Sequence, residues 1–164
     1  MSKCKTSPEV GGMGHSIKRK EDPRFIRGQG NYVDDIVRPG MVFMDIVRSP
    51  YAHAKIKSIN TDKALAHPGV AAVITGETLK EYNLHMMPTL MSDTQMVLPI
   101  DKVCYQAQEV AAVVATDRYS AADGVELVEV EYEPLPVVMD PFKATDKDAP
   151  IIRDDKEGQE SNHI

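Results

Sequence analysis

The fold of this chain is decided by residues 101–138, DKVCYQAQEVAAVVATDRYSAADGVELVEVEYEPLPVV. At their centre lies Val110–Ala115, an apolar run that ends at Thr116-Asp117. A short, unbroken apolar run is typical of a strand covered on both faces. Thr116 or Asp117 can cap a following helix, because either side-chain oxygen accepts an amide hydrogen that the first turn leaves unpaired. We therefore expect a buried central strand that leads into a helix.

That helix is predicted over Arg118–Glu126, and a strand is predicted over residues 128–133. The helix residues expected to be buried, at three-residue spacing, are Tyr119, Ala122 and Val125. In the strand, apolar and acidic side chains alternate, with Val128, Val130 and Tyr132 against Glu129, Glu131 and Glu133. This alternation indicates one wet face. Pro134 and Pro136 end the strand, since proline cannot donate to a sheet ladder. The stretch therefore predicts a strand–helix–strand crossover.

Five further elements are predicted before this crossover. They are strands over Met41–Arg48, Ala54–Ile59 and Val70–Ile74, a short helix from Thr61-Asp62 through Ala66, and a helical turn from Gly76 to Tyr82. We expect the first two strands to pair antiparallel across the Pro50–His53 connection. Ser49-Pro50 interrupts the chain between them.

The segment Asn83–Ile100 predicts a long irregular loop, because it lacks periodicity and contains Pro88 and Pro99. Its methionines are Met86, Met87, Met91 and Met96. Methionine either fills irregular gaps in a core or forms an adaptable contact surface. We expect the loop to be a contact surface, covered either by another part of the same protein or by a partner. The alternative is that it folds back over its own sheet.

The length of 164 residues allows one domain with tails. We expect a flexible arm at residues 1–14, the folded domain at 15–140 and an acidic linker at 141–164. The net charge of -6 argues against nucleic-acid binding, which needs a basic face. No apolar run approaches the roughly 20 residues of a membrane span, and the N-terminus lacks an apolar signal core. The sequence therefore favours a cytoplasmic protein.

No residue spacing predicts a metal site. The histidines are His15, His53, His67, His85 and His163. They form no HxH or HExxH pattern, so turn or surface positions are expected for them. Cys4 and Cys104 form no CxxC pair, and Cys104 is expected to be a reduced core residue.

No catalytic or cofactor-binding residue is predicted either. The alternating acidic residues described above favour a solvated strand face, and Ser16, Ser49 and Ser120 lie in no nucleophile elbow. Gly28-x-Gly30 lacks the third glycine and the preceding strand of a dinucleotide fingerprint, so a turn with positive φ is expected. Gln106 and Gln108 flank the start of the central strand. Their amides either face a cofactor or partner, or hydrogen-bond to nearby backbone.

Several short motifs occur along the chain. The first is Gly14-x-Ser16-x-x-Arg19-x-Glu21-Asp22-x-Arg24-Phe25-x-x-Gly28-x-Gly30-x-Tyr32-x-Asp34-Asp35. The others are Arg48-Ser49-Pro50-x-Ala52-His53-Ala54, Pro68-Gly69-Val70-x-Ala72-Val73-x-Thr75-Gly76, Gln108-Glu109-Val110-Ala111-x-Val113 and Val130-x-Tyr132-Glu133-Pro134-Leu135-Pro136. In this order and spacing they resemble the N-terminal part of the large subunit of molybdenum hydroxylases, the xanthine dehydrogenase and aldehyde oxidase family. Within that family, residues 83–90 and 93–99 are most similar to carbon monoxide dehydrogenase large subunits. One departure is Ala107, where the family commonly has glycine.

The resemblance implies an α/β hammerhead domain, with a mixed β-sheet and the crossover helix on one face. It implies a parent enzyme that oxidises carbon monoxide with water. Another hydroxylase acting on aldehydes or N-heterocycles, or a non-enzymatic binding or assembly module, remains open. The implied cofactors of the parent are molybdopterin cytosine dinucleotide with molybdenum, and [2Fe–2S] clusters and FAD on partner subunits.

The resemblance also implies where the chemistry lies. In the family, the molybdopterin-binding loops and the glutamate base lie further along the chain, so no catalytic, cofactor-binding or metal residue is carried over. The implied partners are the remainder of the large subunit and the iron–sulfur and flavin subunits. The segment alone is expected to be inactive.

Overall fold

The computed structural model describes residues 19–88 and 94–154. The chain divides into two compact units, Met1–Pro39 and Gly40–Ile164. The flexible arm expected at residues 1–14 lies outside the described residues. Among the helices that are described, none is long and apolar enough to cross a membrane.

The first unit is described from residue 19 to residue 39. It contains the short helix α1 (Asp22–Phe25) and a single 3₁₀ turn at Val33–Asp35. The rings of Phe25 and Tyr32 stack with their centroids 5.5 Å apart. Gly28 has φ +70°, so the predicted positive-φ turn is confirmed at this glycine.

The second unit is built around β7 (Glu109–Ala115), the central strand of a three-stranded antiparallel sheet. Its neighbours are β1 (Phe43–Arg48) and β3 (Val70–Thr75). The fully buried residues of the central strand are Val110, Ala111, Val113 and Ala115. The prediction of a buried central strand is therefore confirmed.

A second antiparallel sheet has β2 at its centre. Its strands, in spatial order, are β6 (Lys102–Val103), β2 (Ala54–Asn60) and β8 (Glu129–Pro134). The predicted pairing across Pro50–His53 is wrong, because β1 pairs with β7 whereas β2 pairs with β8 and β6. The physical reason is that backbone hydrogen bonds attach the connection to residues 107 and 108 at one end and to Leu135 at the other. β1 and β2 therefore lie in different sheets.

The predicted combination of β-strands with a crossover helix on one face is confirmed, but the strand arrangement differs in one respect. The crossover connects two sheets, because β7 lies in the first and β8 at the edge of the second. Glu129 and Glu131 of β8 are exposed, as predicted for the wet face of this strand. The two sheets share their core, since Ile59 and Val130 contact both buried clusters.

The helix between β7 and β8 is α4 (Arg118–Leu127). Asp117 caps it, as predicted, with Oδ1 accepting the backbone N–H groups of Tyr119 and Ser120 at 2.9 Å each. The short helix α2 (Asp62–Leu65) packs beside it and buries Ala64. Both helices therefore lie against the same core.

The predicted buried face of α4 is wrong in part. Tyr119 is 83% exposed and Ala122 is exposed, whereas Ala121 and Gly124 are buried. The helix crosses β7 so closely that a Cβ on Gly124 would lie 2.8 Å from Val113 Cγ1. Small residues of α4 therefore make its closest contact with the sheet.

The segment Asn83–Ile100 is less irregular than predicted. After α3 (Gly76–Glu81), the strands β4 (Met86–Pro88) and β5 (Thr94–Met96) form an antiparallel hairpin. Pro88 is tolerated because it ends its strand. Met91 lies outside the described residues.

Candidate functional site

The connection between β1 and β2 is the point where three segments of the second unit meet. The backbone N–H of Ser49 donates to the Gln108 carbonyl at 2.9 Å, and that of Ala107 donates to the Ser49 carbonyl at 2.9 Å. At the other end, the Leu135 N–H donates to the His53 carbonyl at 3.0 Å. The connection thus joins the turn before β7 to the chain after β8.

His53 strengthens this junction and is buried. Its Nδ1 lies 2.6 Å from the Pro136 carbonyl oxygen, and a carbonyl only accepts, so Nδ1 carries the proton. Nε2 is then an acceptor, and it is buried without a hydrogen-bond partner in the part of the chain that is described. The expected surface position is therefore wrong for His53, which is buried in the bend just before β2.

Ala107 adopts a left-handed conformation, with φ +62°. Glycine adopts this conformation without steric cost, and the resemblance places a glycine here. Arg48 holds the turn in place, since one guanidinium nitrogen donates to the Ala107 carbonyl at 2.9 Å and to Glu109 Oε1 at 2.5 Å. Alanine in place of glycine at position 107 therefore puts steric strain on this turn. The turn is held by Arg48 at the Ala107 carbonyl and by Ser49 at the Ala107 N–H.

Gln108 is buried, and its side-chain oxygen accepts the Cys104 N–H at 2.6 Å. For Gln108 the interpretation as a backbone hydrogen-bonding group is therefore confirmed. Gln106 is exposed. Sequence patterning did not distinguish these two amides, because their environments depend on how the turn bends.

Glu109 accepts hydrogen bonds from Arg48 and from the Tyr105 hydroxyl beside this turn. The backbone N–H of Glu109 and then the Arg48 guanidinium lower the pKa of the Glu109 carboxyl. Burial, followed by the Glu109 charge, raises the pKa of the Tyr105 hydroxyl. The two pKa shifts favour an ionised Glu109 and a neutral Tyr105 at neutral pH. Neither group is therefore suited to proton transfer at that pH.

A cleft of about 690 Å³ lies beside the turn and between β5 and β6. Residues 152–154 border it and bridge its two sides. Arg153 donates to the Thr94 carbonyl at 3.0 Å, the Cys104 thiol to the Ile152 carbonyl at 3.7 Å, and Lys102 pairs with Asp154 at 2.5 Å. The acidic segment therefore contacts the folded unit as far as residue 154.

The residues that line the cleft do not form a metal centre. Residues 19–88 and 94–154 contain no group of three or more His, Cys, Asp or Glu side chains able to hold a metal ion. Two cationic groups that line the cleft, Lys102 and Arg153, already contact Asp154 and Thr94. Cys104 is half-buried, so the expected core position is wrong, and its reduced state stays a prediction.

The other predicted residues are dispersed. Glu129 and Glu133 pair with Lys63 and Lys57, which fits a solvated face. Ser120 donates to Asp117 at 2.7 Å and so supports the helix cap. Ser49 is buried in the connection described above. His67 and His85 are half-buried in two separate connecting segments, and the remaining candidates, His15, His163, Cys4 and Ser16, lie outside the described residues.

The hairpin segment presents apolar side chains to solvent. Those exposed are Leu84, Met86, Met87 and Val97. Leu98 and Pro99, by contrast, are buried. The end of the segment is therefore buried, with the Leu98 and Pro99 carbonyls close to Gly76, whereas the hairpin exposes apolar side chains.

Comparison with known proteins identifies the family. Residues 27–136 match the profile of the aldehyde oxidase and xanthine dehydrogenase a/b hammerhead domain, and the chain belongs to this family. It is 63% identical over 144 residues to the carbon monoxide dehydrogenase large chain of Afipia carboxidovorans, covering 88% of this chain and 18% of that one. It is 57% identical over 152 residues to the corresponding chain of Hydrogenophaga pseudoflava, covering 93% of this chain and 19% of that one.

A solved structure agrees with this assignment. A Cu,Mo-CO dehydrogenase in its carbon monoxide-reduced state matches 88% of this chain and 18% of its own, with a TM-score of 0.80 and 63% identity. The chain thus spans less than a fifth of the length of these relatives.

Proposed function

We propose that this chain is the N-terminal hammerhead domain of a carbon monoxide dehydrogenase large chain. The observation that carries the proposal is the 63% identity to the Afipia carboxidovorans large chain over 88% of this chain. The parent enzyme would convert carbon monoxide and water to carbon dioxide. Residues 15–140 would form the domain, and residues 141–164 would lead toward the rest of the large chain.

The cofactors of this reaction would be bound elsewhere. Molybdopterin cytosine dinucleotide with molybdenum would lie in the remainder of the large chain, and [2Fe–2S] clusters and FAD on partner subunits. The length of the relatives supports this division, because more than four-fifths of each lies outside the segment that matches this chain. The assembled enzyme would be cytoplasmic.

The role of this segment would be to shape the large chain and to provide contacts. A rigid junction supports such a role, because the β1–β2 connection is held by backbone hydrogen bonds at both ends. The exposed apolar side chains of the hairpin support it as well, since contiguous apolar surface commonly marks an interface.

A chimeric large chain tests the proposal. In it, this chain replaces the matching segment of the Afipia carboxidovorans large chain, and the chimera is produced with the partner subunits of that enzyme. We expect carbon monoxide-dependent dye reduction by the chimera, and none by the 164-residue chain alone. The matched control is the large chain with the segment deleted. A chimera that accumulates in full length but oxidises no carbon monoxide would contradict the proposal.

A further inference from the structure

The first sheet has one face that its own chain leaves partly uncovered. Helices α2 and α4 contribute Ala64 and Val125 to the core cluster on one face, together with Ala111 and Val113 of β7. Side chains alternate along a strand, so Val110, Ala112 and Val114 point to the opposite face. Val110 belongs to the cluster formed with Ala54 and Val103 of the second sheet, which covers only that end.

The rest of this face forms a continuous apolar patch, the outer patch. Strand register places Met44 opposite Val114 and Val114 opposite Ala72, with Ile46, Ala112 and Ile74 in the next row. None of these six side chains carries a charge or a hydrogen-bonding group. Met44 is 63% exposed, and the neighbouring Val42 is 52% exposed.

The sequence of β7 indicates that this patch is covered in the mature protein. An unbroken apolar run is the pattern of a strand with both faces buried, whereas a strand with one wet face alternates with polar residues. β8 shows the alternating pattern on its exposed side, with Glu129 and Glu131. The outer patch has no such polar residues, although part of it faces solvent here.

The size of the outer patch favours a cover from the same polypeptide. With strands about 4.8 Å apart and a rise of about 3.3 Å per residue, the six residues span on the order of 200 Å². A stable dimer needs about 800 Å² from each partner. A tethered domain has no such requirement, because the covalent chain already holds it nearby. The relatives also have more than four-fifths of their length outside the matched segment.

We infer that the outer patch is the docking surface for an aliphatic surface of the remaining part of the large chain. The inference rests on the proposed function and specifies which face of the domain makes the contact. Met44 is exposed, Ala112 is already buried, and the other four side chains of the outer patch are half-buried. The occupant is therefore expected to contact the side of the patch formed by Met44.

Oxidation of Met44 by hydrogen peroxide in the full-length chimera tests the inference without a mutation. Peptide mass spectrometry gives the rate for Met44 in the native chimera and in the same chimera unfolded in urea. We expect at least about tenfold slower oxidation in the native state, since peroxide reaches a covered side chain only when the contact opens. Equal rates would overturn the inference, even in a chimera that oxidises carbon monoxide.

Two variants of the chimera complete the test. Met44→Glu places a charge in the contact and is expected to lower the yield of folded chimera at least about threefold. Leu65→Glu introduces the same charge at an exposed position of α2 and is expected to leave the yield within about 1.5-fold. Equal yields for the two variants would overturn the inference. So would a dimer of the 164-residue chain that Met44→Glu converts to monomer, because a second copy would then be the occupant.

Discussion

Gly124 of α4 lies directly against Val113 of β7, with room for a hydrogen atom but not for a methyl group. A Cβ at this position would lie 2.8 Å from Val113 Cγ1 and 2.9 Å from Val70 Cγ2. Both valines are β-branched residues of the sheet, so their side chains have little freedom to move. This contact sets how closely the helix approaches the central strand.

Gly124→Val is therefore expected to destabilise the domain by about 3 kcal/mol, because it overpacks a contact between a helix and a buried strand. Ala122→Val introduces the same side chain two residues away on the exposed side of α4. Its expected cost is below about 1 kcal/mol, the loss of helix propensity alone. Urea unfolding of both variants measures the difference, and equal costs would contradict the described packing.

Ala107→Gly is expected to stabilise the domain by about 0.5–1 kcal/mol. Relief of the left-handed conformation of Ala107 outweighs the added entropy of glycine in the unfolded chain. The same substitution at Ala122, in the exposed middle of α4, is expected to cost about 0.5–1 kcal/mol. The two variants should therefore shift the urea midpoint in opposite directions. A loss of stability in both would show that the turn before β7 is not strained.

The Asp117 cap predicts a dependence on acid pH. Hydrogen bonds from the Ser120 hydroxyl, and from the Ser120 and Tyr119 backbone N–H groups, lower the pKa of the Asp117 carboxyl below its ordinary value. A carboxyl whose pKa is lower in the folded state stabilises the fold above its unfolded pKa, and this contribution is lost as the pH falls through the folded value. The stabilisation is therefore present at pH 7 and lost as the pH falls below about 4.

Asp117→Ala should accordingly be less stable than the original chain at pH 7, and the difference should narrow as the pH falls below about 4. Asp117→Asn keeps a capping oxygen that does not titrate, so its difference from Asp117→Ala should be nearly constant with pH. Thermal melting across this pH range measures both. A constant difference between the Asp117→Ala variant and the original chain would contradict the cap.

The central strand could be predicted from sequence because burial on both faces leaves an unmistakable apolar run at Val110–Ala115. The cap at Asp117 was predictable for a similar reason, since its geometry involves only neighbouring residues. The polar face of β8 followed from the alternation of its glutamates. Each of these features depends on local sequence alone.

Strand pairing and the buried face of α4 depend on contacts between distant segments. The link from the Leu135 N–H to the His53 carbonyl leaves no signal in either segment by itself. The need for glycine at position 124 of the helix depends on its contact with Val113 and leaves no local pattern. Of the candidate site, Gln108 and Ala107 can be singled out from the sequence. The contacts of residues 152–154 cannot, because an acidic segment predicts a solvated linker.

The central claim is that this chain is one domain of a longer large chain and that its exposed apolar surface is covered there. Hydrogen exchange of residues 83–88 and 94–97, compared between the 164-residue chain and the chimeric large chain, tests it most directly. The exposed hairpin is expected to exchange quickly in the chain alone and at least about tenfold more slowly in the chimera. Full protection in the 164-residue chain, or equally fast exchange in both proteins, would contradict the claim.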